Sequence, residues 1–227
     1  MTNPDAVGGG RTALLLGATG LVGGHCLDLL LEEPAYREIR SIGRRPVERE
    51  HPRLVQTITE LDRIEEHAEL FAVDDVFCCL GTTIRSAGSR EAFRRVDVEY
   101  PATAARLAAT AGADRFLVVS ALGADAESRV FYNRAKGEME TIVRRHPFQA
   151  VWILRPSLLL GDRQEERLGE RLGALLARPL EPLLRGPLRR YRPIAARSVA
   201  IAMLRLALDE DTGGVVESDE IARLAEA

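Results

Sequence analysis

Three side chains in the middle of the chain have the types and spacing of an acid–base site: Ser120, Tyr132 and Lys136. Tyr132 and Lys136 stand four residues apart in a segment with a helical pattern, so both side chains share one helix face. A phenol alone is a weak acid–base catalyst at neutral pH, and a nearby ammonium favours its ionised form. Ser120 lies twelve residues before Tyr132, at the end of an apolar strand pattern, where its hydroxyl can hold a carbonyl or alcohol oxygen. The three residues therefore predict proton transfer to or from a small substrate.

Lys136 is the only lysine in the chain, and the other 30 of the 31 basic residues are arginine. A lysine placed at random would fall four residues after one of the four tyrosines about 2% of the time. This coincidence favours the catalytic interpretation. The alternative is an ordinary solvated lysine on a surface helix.

A glycine motif lies near the start of the chain, between the first strand pattern and the first helical pattern. Gly17, Gly20 and Gly23 are spaced by three residues. Such glycines provide three features: a tight turn, a close approach of backbone N–H groups to a pyrophosphate, and a small residue between helix and strand. The motif predicts a dinucleotide site, and the alternative is a glycine-rich structural turn.

The end of the second strand pattern distinguishes two dinucleotides. An acidic residue there holds the ribose hydroxyls of NAD, whereas an arginine accommodates the 2′-phosphate of NADP. This chain has Arg44 and Arg45 after Gly43, and no acidic residue occurs before Glu48. The pair predicts NADP, although an arginine pair arises easily by chance in an arginine-rich chain.

Strand and helix patterns alternate along the chain, which predicts an α/β fold: a doubly wound (Rossmann) parallel sheet with helices on both faces. One long helix is predicted over Arg90–Ala111, with Pro101 starting or kinking part of it. Residues 11–227 are predicted as a single domain after a flexible tail of residues 1–10. Residues 161–197 break the alternation and are predicted as a small C-terminal elaboration on the substrate side. The predicted strands are Arg11–Leu16, Ile39–Gly43, Leu54–Ile58, Asp75–Leu80, Arg115–Ser120 and Ala150–Leu154.

The composition is that of a globular protein, with 46% hydrophobic and 29% charged residues among 227. A net charge of −3 argues against a nucleic-acid partner bound by bulk charge, and no apolar run has the length of a membrane span. Cys26, Cys78 and Cys79 have neither disulfide-framework nor metal-ligand spacing, so no metal site is expected. Together with an N-terminus unlike a signal peptide, they predict a cytoplasmic location. The sequence leaves a homo-oligomer open.

The motifs GATGLVG and YNRAK, Ser120 and the Arg155-Pro156-Ser157 turn resemble the short-chain dehydrogenase/reductase superfamily, in its extended or atypical branches. More narrowly, the stretches FCCLGTTIRSAGSREAFRRVD, VVSALGADAESRVFYNRAKGE and ILRPSLLLG resemble the HIV Tat-interactive protein-like oxidoreductases and their bacterial and fungal relatives. The resemblance covers residues 11–162.

The resemblance implies an NADP-binding Rossmann fold with catalytic roles for Ser120, Tyr132 and Lys136. Core members of the superfamily carry an Asn where this chain has Asp97, so the resemblance gives Asp97 no catalytic role. The residues implied to contact the cofactor are Gly17, Thr19, Gly20, Leu21, Val22, Arg44, Arg45, Leu80, Gly81, Thr82, Tyr132, Lys136, Arg155 and Pro156.

The sequence therefore predicts an NADP-dependent oxidoreductase that acts on a carbonyl/alcohol pair by hydride transfer. One alternative is a nucleotide-sugar epimerase or dehydratase, which is disfavoured because only about 65 residues follow Gly161. The other is a non-catalytic NADP-binding redox sensor with a protein partner, which the intact Tyr132–Lys136 pair disfavours.

Overall fold

A seven-stranded parallel sheet forms the centre of the structure, a computed structural model that describes residues 10–161 and 186–227. Its strand order is β3-β2-β1-β4-β5-β6-β9, and a separate two-stranded parallel ladder joins β7 with β8. The strands are β1 (Arg11–Leu16), β2 (Tyr36–Gly43), β3 (Leu54–Ile58), β4 (Asp75–Cys78), β5 (Arg115–Val119), β6 (Ala150–Arg155), β7 (Leu159–Leu160), β8 (Ile194–Ala195) and β9 (Gly213–Glu217).

Helices cover both faces of the sheet, because the central strands are apolar on both sides. Successive residues of β1 point to opposite faces: Leu15 packs in the core beneath α1 and α6, whereas Leu14 packs in the core beneath α4 and α5. The doubly wound fold predicted from the sequence is confirmed. The helices are α1 (Leu21–Glu32), α2 (Ile84–Ala87), α3 (Arg90–Arg94), α4 (Tyr100–Thr110), α5 (Phe131–Val143), α6 (Ala196–Leu208) and α7 (Ser218–Glu226).

The helix predicted over Arg90–Ala111 is interrupted by a π-helical turn, Arg95–Glu99, between α3 and α4. Within this turn the Tyr100 N–H donates to the Arg95 carbonyl, five residues back. Pro101 follows at the start of α4 and has no N–H to donate, so the regular bond pattern is broken where the turn widens. The wider turn buries Asp97 completely.

Residues 1–9 and 162–185 lie outside the described part of the chain, and with them most of the predicted tail and of the substrate-side elaboration. Of the elaboration, the structure describes a 3-10 segment, Gly186–Tyr191, and β8, which pairs with β7. A second 3-10 segment, Leu61–Phe71, precedes β4, and the charged pattern of Glu60–Leu70 had predicted a helix there. The C-terminal helix α7 was not predicted.

Candidate cofactor and catalytic site

A cleft of about 1590 Å³ opens at the carboxyl ends of β1, β2 and β4. The strand order reverses here, because β1 lies between β2 on one side and β4 on the other, and ligands of doubly wound sheets bind at such a point. Three predicted cofactor segments line the cleft together: the loop that begins at Gly17, the Arg44-Arg45 pair and the loop Leu80–Thr82.

The glycine loop joins β1 to α1 by a tight turn in which the Gly20 N–H donates to the Gly17 carbonyl over 2.9 Å. Gly17 has φ +86°, and a Cβ on Gly23 would lie 2.0 Å from the Gly17 carbonyl oxygen. Both positions therefore require glycine. The N-cap of α1 is Gly20, which has no side chain to accept from the first turn, so this residue leaves the N–H groups there to an anion. Thr19 and Leu21 line the cleft, whereas the Val22 side chain packs in the core.

Arg44 and Arg45 are exposed at the end of β2, on the wall of the cleft. Arg95, in the π-helical turn, lines the same cleft. Burial and a hydrogen bond to Asp62 raise the pKa of Tyr100 to about 12, and the positive charges of Arg95 and Arg44 oppose this rise. Arg95 and Arg44 thus act on the same phenol, which makes Arg95 a cleft arginine that the sequence did not indicate.

Lys136 and Asp97 form a buried ion pair behind the loop Leu80–Thr82. The Lys136 Nζ lies 2.8 Å from the Asp97 Oδ1, with side-chain exposures of 5% and 0%. The other Asp97 oxygen accepts from the Thr82 N–H over 2.9 Å. A Cβ on Gly81 would lie 3.8 Å from the Lys136 Nζ, so the exposed Gly81 leaves this ammonium next to the cleft wall.

Burial lowers the pKa of Lys136, but its interactions with Asp97 and Tyr132 outweigh this effect, and the pKa lies above the ordinary value of 10.5. Lys136 is therefore an ammonium at neutral pH. Its Nζ also approaches the Val119 carbonyl oxygen at 3.4 Å. Tyr132 stands one helical turn earlier on α5, half-buried, with its ring centroid 5.5 Å from that of Phe93.

Ser120 contacts a buried acid that the sequence did not indicate. Its hydroxyl donates to the buried Glu140 Oε1 over 2.5 Å, and no hydrogen bond between Ser120 and Tyr132 is found among the described residues. Arg155 donates to both Glu140 oxygens, at 2.9 and 2.6 Å, and its Nη1 lies 3.2 Å from the Glu217 Oε1. The Arg155 side chain, expected beside the cofactor, is thus held in ion pairs with Glu140 and Glu217.

Pro156 is buried, and its carbonyl accepts from the Leu122 N–H over 2.9 Å, which ties the loop after β5 to the end of β6. Neither Arg155 nor Pro156 belongs to the lining of the large cleft. Within residues 10–161 and 186–227, no cluster of three His, Cys, Asp or Glu side chains could hold a metal ion.

Two buried acids of the site were not predicted. Glu140 follows Lys136 by four residues, so the stripe of Tyr132 and Lys136 on α5 extends to it, and helical periodicity could have indicated it. Asp97 has no comparable local signal. It precedes Lys136 by 39 positions, and its inward direction depends on the π-helical turn.

The fold and the glycine loop at its switch point define a dinucleotide-binding protein. The chain belongs to the NAD dependent epimerase/dehydratase family, whose model matches residues 13–215. The rat Protein HTATIP2 is 37% identical over 164 residues, which cover 70% of this chain and 67% of that protein. The resemblance to the HIV Tat-interactive protein-like proteins is thereby confirmed.

A fungal relative matches nearly the full length. Protein FMP52, mitochondrial, of Eremothecium gossypii is 31% identical over 220 residues, covering 93% of this chain and 96% of that protein. Among solved structures, MoeE5 in complex with UDP-glucose and NAD superposes with a TM-score of 0.68 at 16% identity, covering 95% of this chain and 81% of that one. This likeness concerns the fold.

The predicted cytoplasmic location is wrong in light of these relatives. The fungal relatives are named mitochondrial, and this finding contradicts the expectation of a general cytoplasmic location. The prediction failed because unpaired cysteines report redox conditions and not a compartment. In residues 10–161 and 186–227, no helix combines the length and apolar character needed to cross a membrane.

Proposed function

We propose that the protein is an NADP-dependent oxidoreductase of the short-chain type, acting on a carbonyl/alcohol pair. The observation that carries the proposal is the arrangement of one cleft: the glycine loop and the Arg44-Arg45 pair line it, and the Lys136 ammonium lies directly behind Gly81 in its wall. The cleft therefore offers phosphate-binding groups in its lining, whereas Ser120, Tyr132 and Lys136 lie outside that lining, with Lys136 behind Gly81.

The residues present fit a phosphorylated dinucleotide. A Cβ on Gly17 would meet the Cys79 backbone and one on Gly23 would meet the Gly17 backbone, so these glycines let the loop pack closely against the end of β4 and the start of α1. The uncapped first turn of α1 would hold the pyrophosphate. Arg44 and Arg45 would hold the 2′-phosphate, since guanidinium groups bind phosphate in a bidentate manner.

The chemistry of the chain's own residues is proton transfer. Tyr132 would give a proton to the substrate oxygen during carbonyl reduction and take it back during alcohol oxidation. Lys136 would stabilise the phenolate that remains. The chemistry that a nicotinamide would supply when bound is the gain or loss of a hydride, and the proton that completes the conversion between carbonyl and alcohol would come from or return to Tyr132.

Ser120 stays in this proposal as the residue that faces the substrate oxygen from the end of β5. Its hydroxyl hydrogen is engaged with Glu140, so in this arrangement the Ser120 oxygen can accept from an alcohol. Donation to a carbonyl requires the hydroxyl to rotate away from Glu140.

Cofactor preference tests the arginine pair. NADPH should bind more tightly than NADH, and replacing Arg44 and Arg45 together by Ala should remove the preference, because a charge-assisted phosphate contact contributes about 1.5–3 kcal/mol. Calorimetry with both cofactors measures this, and Arg63→Ala, at an exposed ion pair with Glu66, is the control. Equal affinities in the unchanged protein would rule out the NADP assignment.

A second candidate function is isomerisation or dehydration of a nucleotide-linked sugar, which the family and the fold of MoeE5 favour. A screen separates the two. NADPH oxidation with an aldehyde, ketone or quinone supports the oxidoreductase, whereas conversion of UDP-glucose with no net change of cofactor supports the second function. Tight NADPH binding with no turnover of any compound would instead indicate a non-catalytic sensor.

A further inference from the structure

The Asp97 carboxylate joins two parts of the candidate site that are far apart in the sequence. One oxygen contacts the Lys136 ammonium at 2.8 Å, and the other accepts from the Thr82 N–H at 2.9 Å. Asp97 itself is fully buried in the π-helical turn. Since π-helical turns occur frequently at functional sites, the position of Asp97 in one is a second reason to examine its role.

The surroundings of Lys136 make Asp97 its counter-ion. Across the described residues, the ionisable groups that act on the ammonium are Asp97 from the π-helical turn, Tyr132 from α5 and Cys78 from β4. Burial raises the pKa of the Cys78 thiol to about 12, so this group is neutral at physiological pH. Tyr132 carries no charge in its phenol form. Asp97 is the carboxylate among these groups.

A buried ammonium without a partner loses its proton more easily than one in water, because burial disfavours the charged form. A buried carboxylate 2.8 Å away reverses that effect. Breaking such a pair on one side leaves an uncompensated buried charge. The pKa of Lys136 therefore depends on the carboxylate of Asp97.

We infer that Asp97 is a positioning residue, which supplies the counter-ion for the Lys136 ammonium and anchors the loop Leu80–Thr82 at Thr82, so that loop and lysine form one unit. The significance of this unit for catalysis rests on the proposed function, because it assumes that Lys136 serves Tyr132. The ion pair and the anchor can be tested without cofactor or substrate.

The single lysine of the chain allows a direct test. With lysine labelled by 13C and 15N, the side-chain ε-group gives one NMR signal, which is titrated with pH. In the unchanged protein we expect it to titrate above 10.5. In Asp97→Asn the pKa should fall by about one to three units, because the isosteric amide carries no charge. The control is Glu138→Gln, which removes a partly exposed ion pair between α5 and Arg94 of α3.

A wild-type titration at or below 10.5, or an unchanged Lys136 pKa in Asp97→Asn, would overturn the counter-ion role. The first result needs no variant, so a folding defect cannot hide it. A structural role alone would not move the lysine titration in a correctly folded Asp97→Asn.

The loop anchor is tested by hydrogen exchange of the Thr82 amide. In the unchanged protein this amide should exchange at least tenfold more slowly than a free loop amide, because it donates to a buried carboxylate. Asp97→Asn keeps an oxygen acceptor and should keep much of the protection, whereas Asp97→Ala should lose it. Free-loop exchange in the unchanged protein, or full protection in Asp97→Ala, contradicts the anchor.

NADPH calorimetry on the unchanged protein separates this inference from the proposed function. If NADPH does not bind but the lysine titration responds to Asp97→Asn, the proposed function fails and the positioning role of Asp97 stands. If NADPH binds and the titration does not respond, the positioning role fails alone.

Discussion

At the scale of single residues, Lys136 occupies a buried site that holds its narrow aliphatic side chain and its compact ammonium group. An arginine there would keep the positive charge, but its broad planar group cannot adopt the same contact with Asp97 below the Tyr132 phenol. Arginine is also the residue that this chain uses at every other basic position.

We therefore predict that Lys136→Arg lowers turnover at least ~100-fold, the low end of an acid–base contribution. Overpacking of the buried site should also lower the free energy of unfolding by about 1–3 kcal/mol. Steady-state kinetics with a substrate from the screen and denaturant unfolding measure the two effects. Arg134→Lys, on the same helix, is the control. Near-normal turnover in Lys136→Arg would contradict the catalytic role of the lysine.

Ser120 and Tyr132 should respond differently to loss of their hydroxyl groups. Ser120→Ala removes a buried hydrogen bond to the Glu140 carboxylate, which should lower the free energy of unfolding by about 1.5–3 kcal/mol. Tyr132→Phe should leave that free energy nearly unchanged and reduce turnover by ~100-fold or more. If Ser120→Ala reduces turnover as strongly as Tyr132→Phe with no loss of stability, the hydroxyl of Ser120 takes part in the reaction and does not stabilise the fold.

Local spacing was enough to predict the Tyr132–Lys136 stripe and the glycine loop, because each lies within one or two turns of chain. The partners of Lys136 and Ser120 are acids whose positions depend on longer-range packing. Asp97 reaches Lys136 only through the docking of the π-helical turn on α5, and Glu140 meets Arg155 across the end of β6.

At the scale of elements, the contact between α1 and β1 sets the shape of the glycine loop. Gly23 and Gly24 are adjacent in α1 but differ in their surroundings. A Cβ on Gly23 would lie 2.0 Å from the Gly17 carbonyl oxygen, whereas a Cβ on Gly24 would meet the Ala18 carbonyl oxygen at an ordinary 3.6 Å.

Gly23→Ala should thus push α1 away from the loop and weaken NADPH binding at least tenfold, because the backbone can no longer approach the pyrophosphate as closely. Gly24→Ala should retain the affinity and raise the free energy of unfolding by about 0.5–1 kcal/mol. Calorimetry and denaturant unfolding of both variants test this. Equal NADPH affinity in the two would mean that the loop is only a structural turn.

The helix predicted over Arg90–Ala111 shows where sequence patterns lose precision. Pro101 indicated an irregularity, but the apolar periodicity could not say whether the helix would kink, restart or widen. The observed widening at Arg95–Glu99 is the outcome that brings Asp97 inward. Lys136, the partner of Asp97, lies on α5. Tertiary contacts, and not the local sequence, therefore decide whether this helix kinks, restarts or widens.

At the scale of the whole molecule, the central strands are apolar on both faces, and strand and helix patterns alternate along the chain, which is why the doubly wound class could be predicted from the sequence. The strand order was not predicted and comes from the structure. A second buried polar cluster lies at the amino ends of β1, β2 and β4, opposite the end of the sheet where the cleft opens. The Tyr36 hydroxyl donates to the buried Asp75 over 2.8 Å, and Arg11 contacts the same carboxylate.

Burial and the neighbouring Asp75 raise the pKa of Tyr36 well above its ordinary value of 10, and Lys136 also has a raised pKa. Both groups keep their protons in the folded state at a pH where the unfolded chain has lost them. Their stabilisation is complete below pH 10 and declines as the pH rises further.

The free energy of unfolding should therefore fall between pH 10 and pH 11.5, with each such group adding a slope of up to about 1.4 kcal/mol per pH unit. Tyr36→Phe should make the fall less steep by up to that amount. Denaturant unfolding across this range measures it, with Tyr191→Phe, on the 3-10 segment Gly186–Tyr191, as the exposed control. An identical slope in Tyr36→Phe would contradict the buried, protonated state of Tyr36.

The burial of Lys136 has one more consequence. A reagent that acylates lysine finds no exposed lysine on the folded chain, because the sole lysine is 4% exposed and paired with Asp97. Acylation of Lys136 must await a transient separation of α5 from the loop Leu80–Thr82. The rate of modification therefore measures how often these openings occur. A compound that occupies the cleft and slows the openings can be detected as a ligand before its chemistry is known.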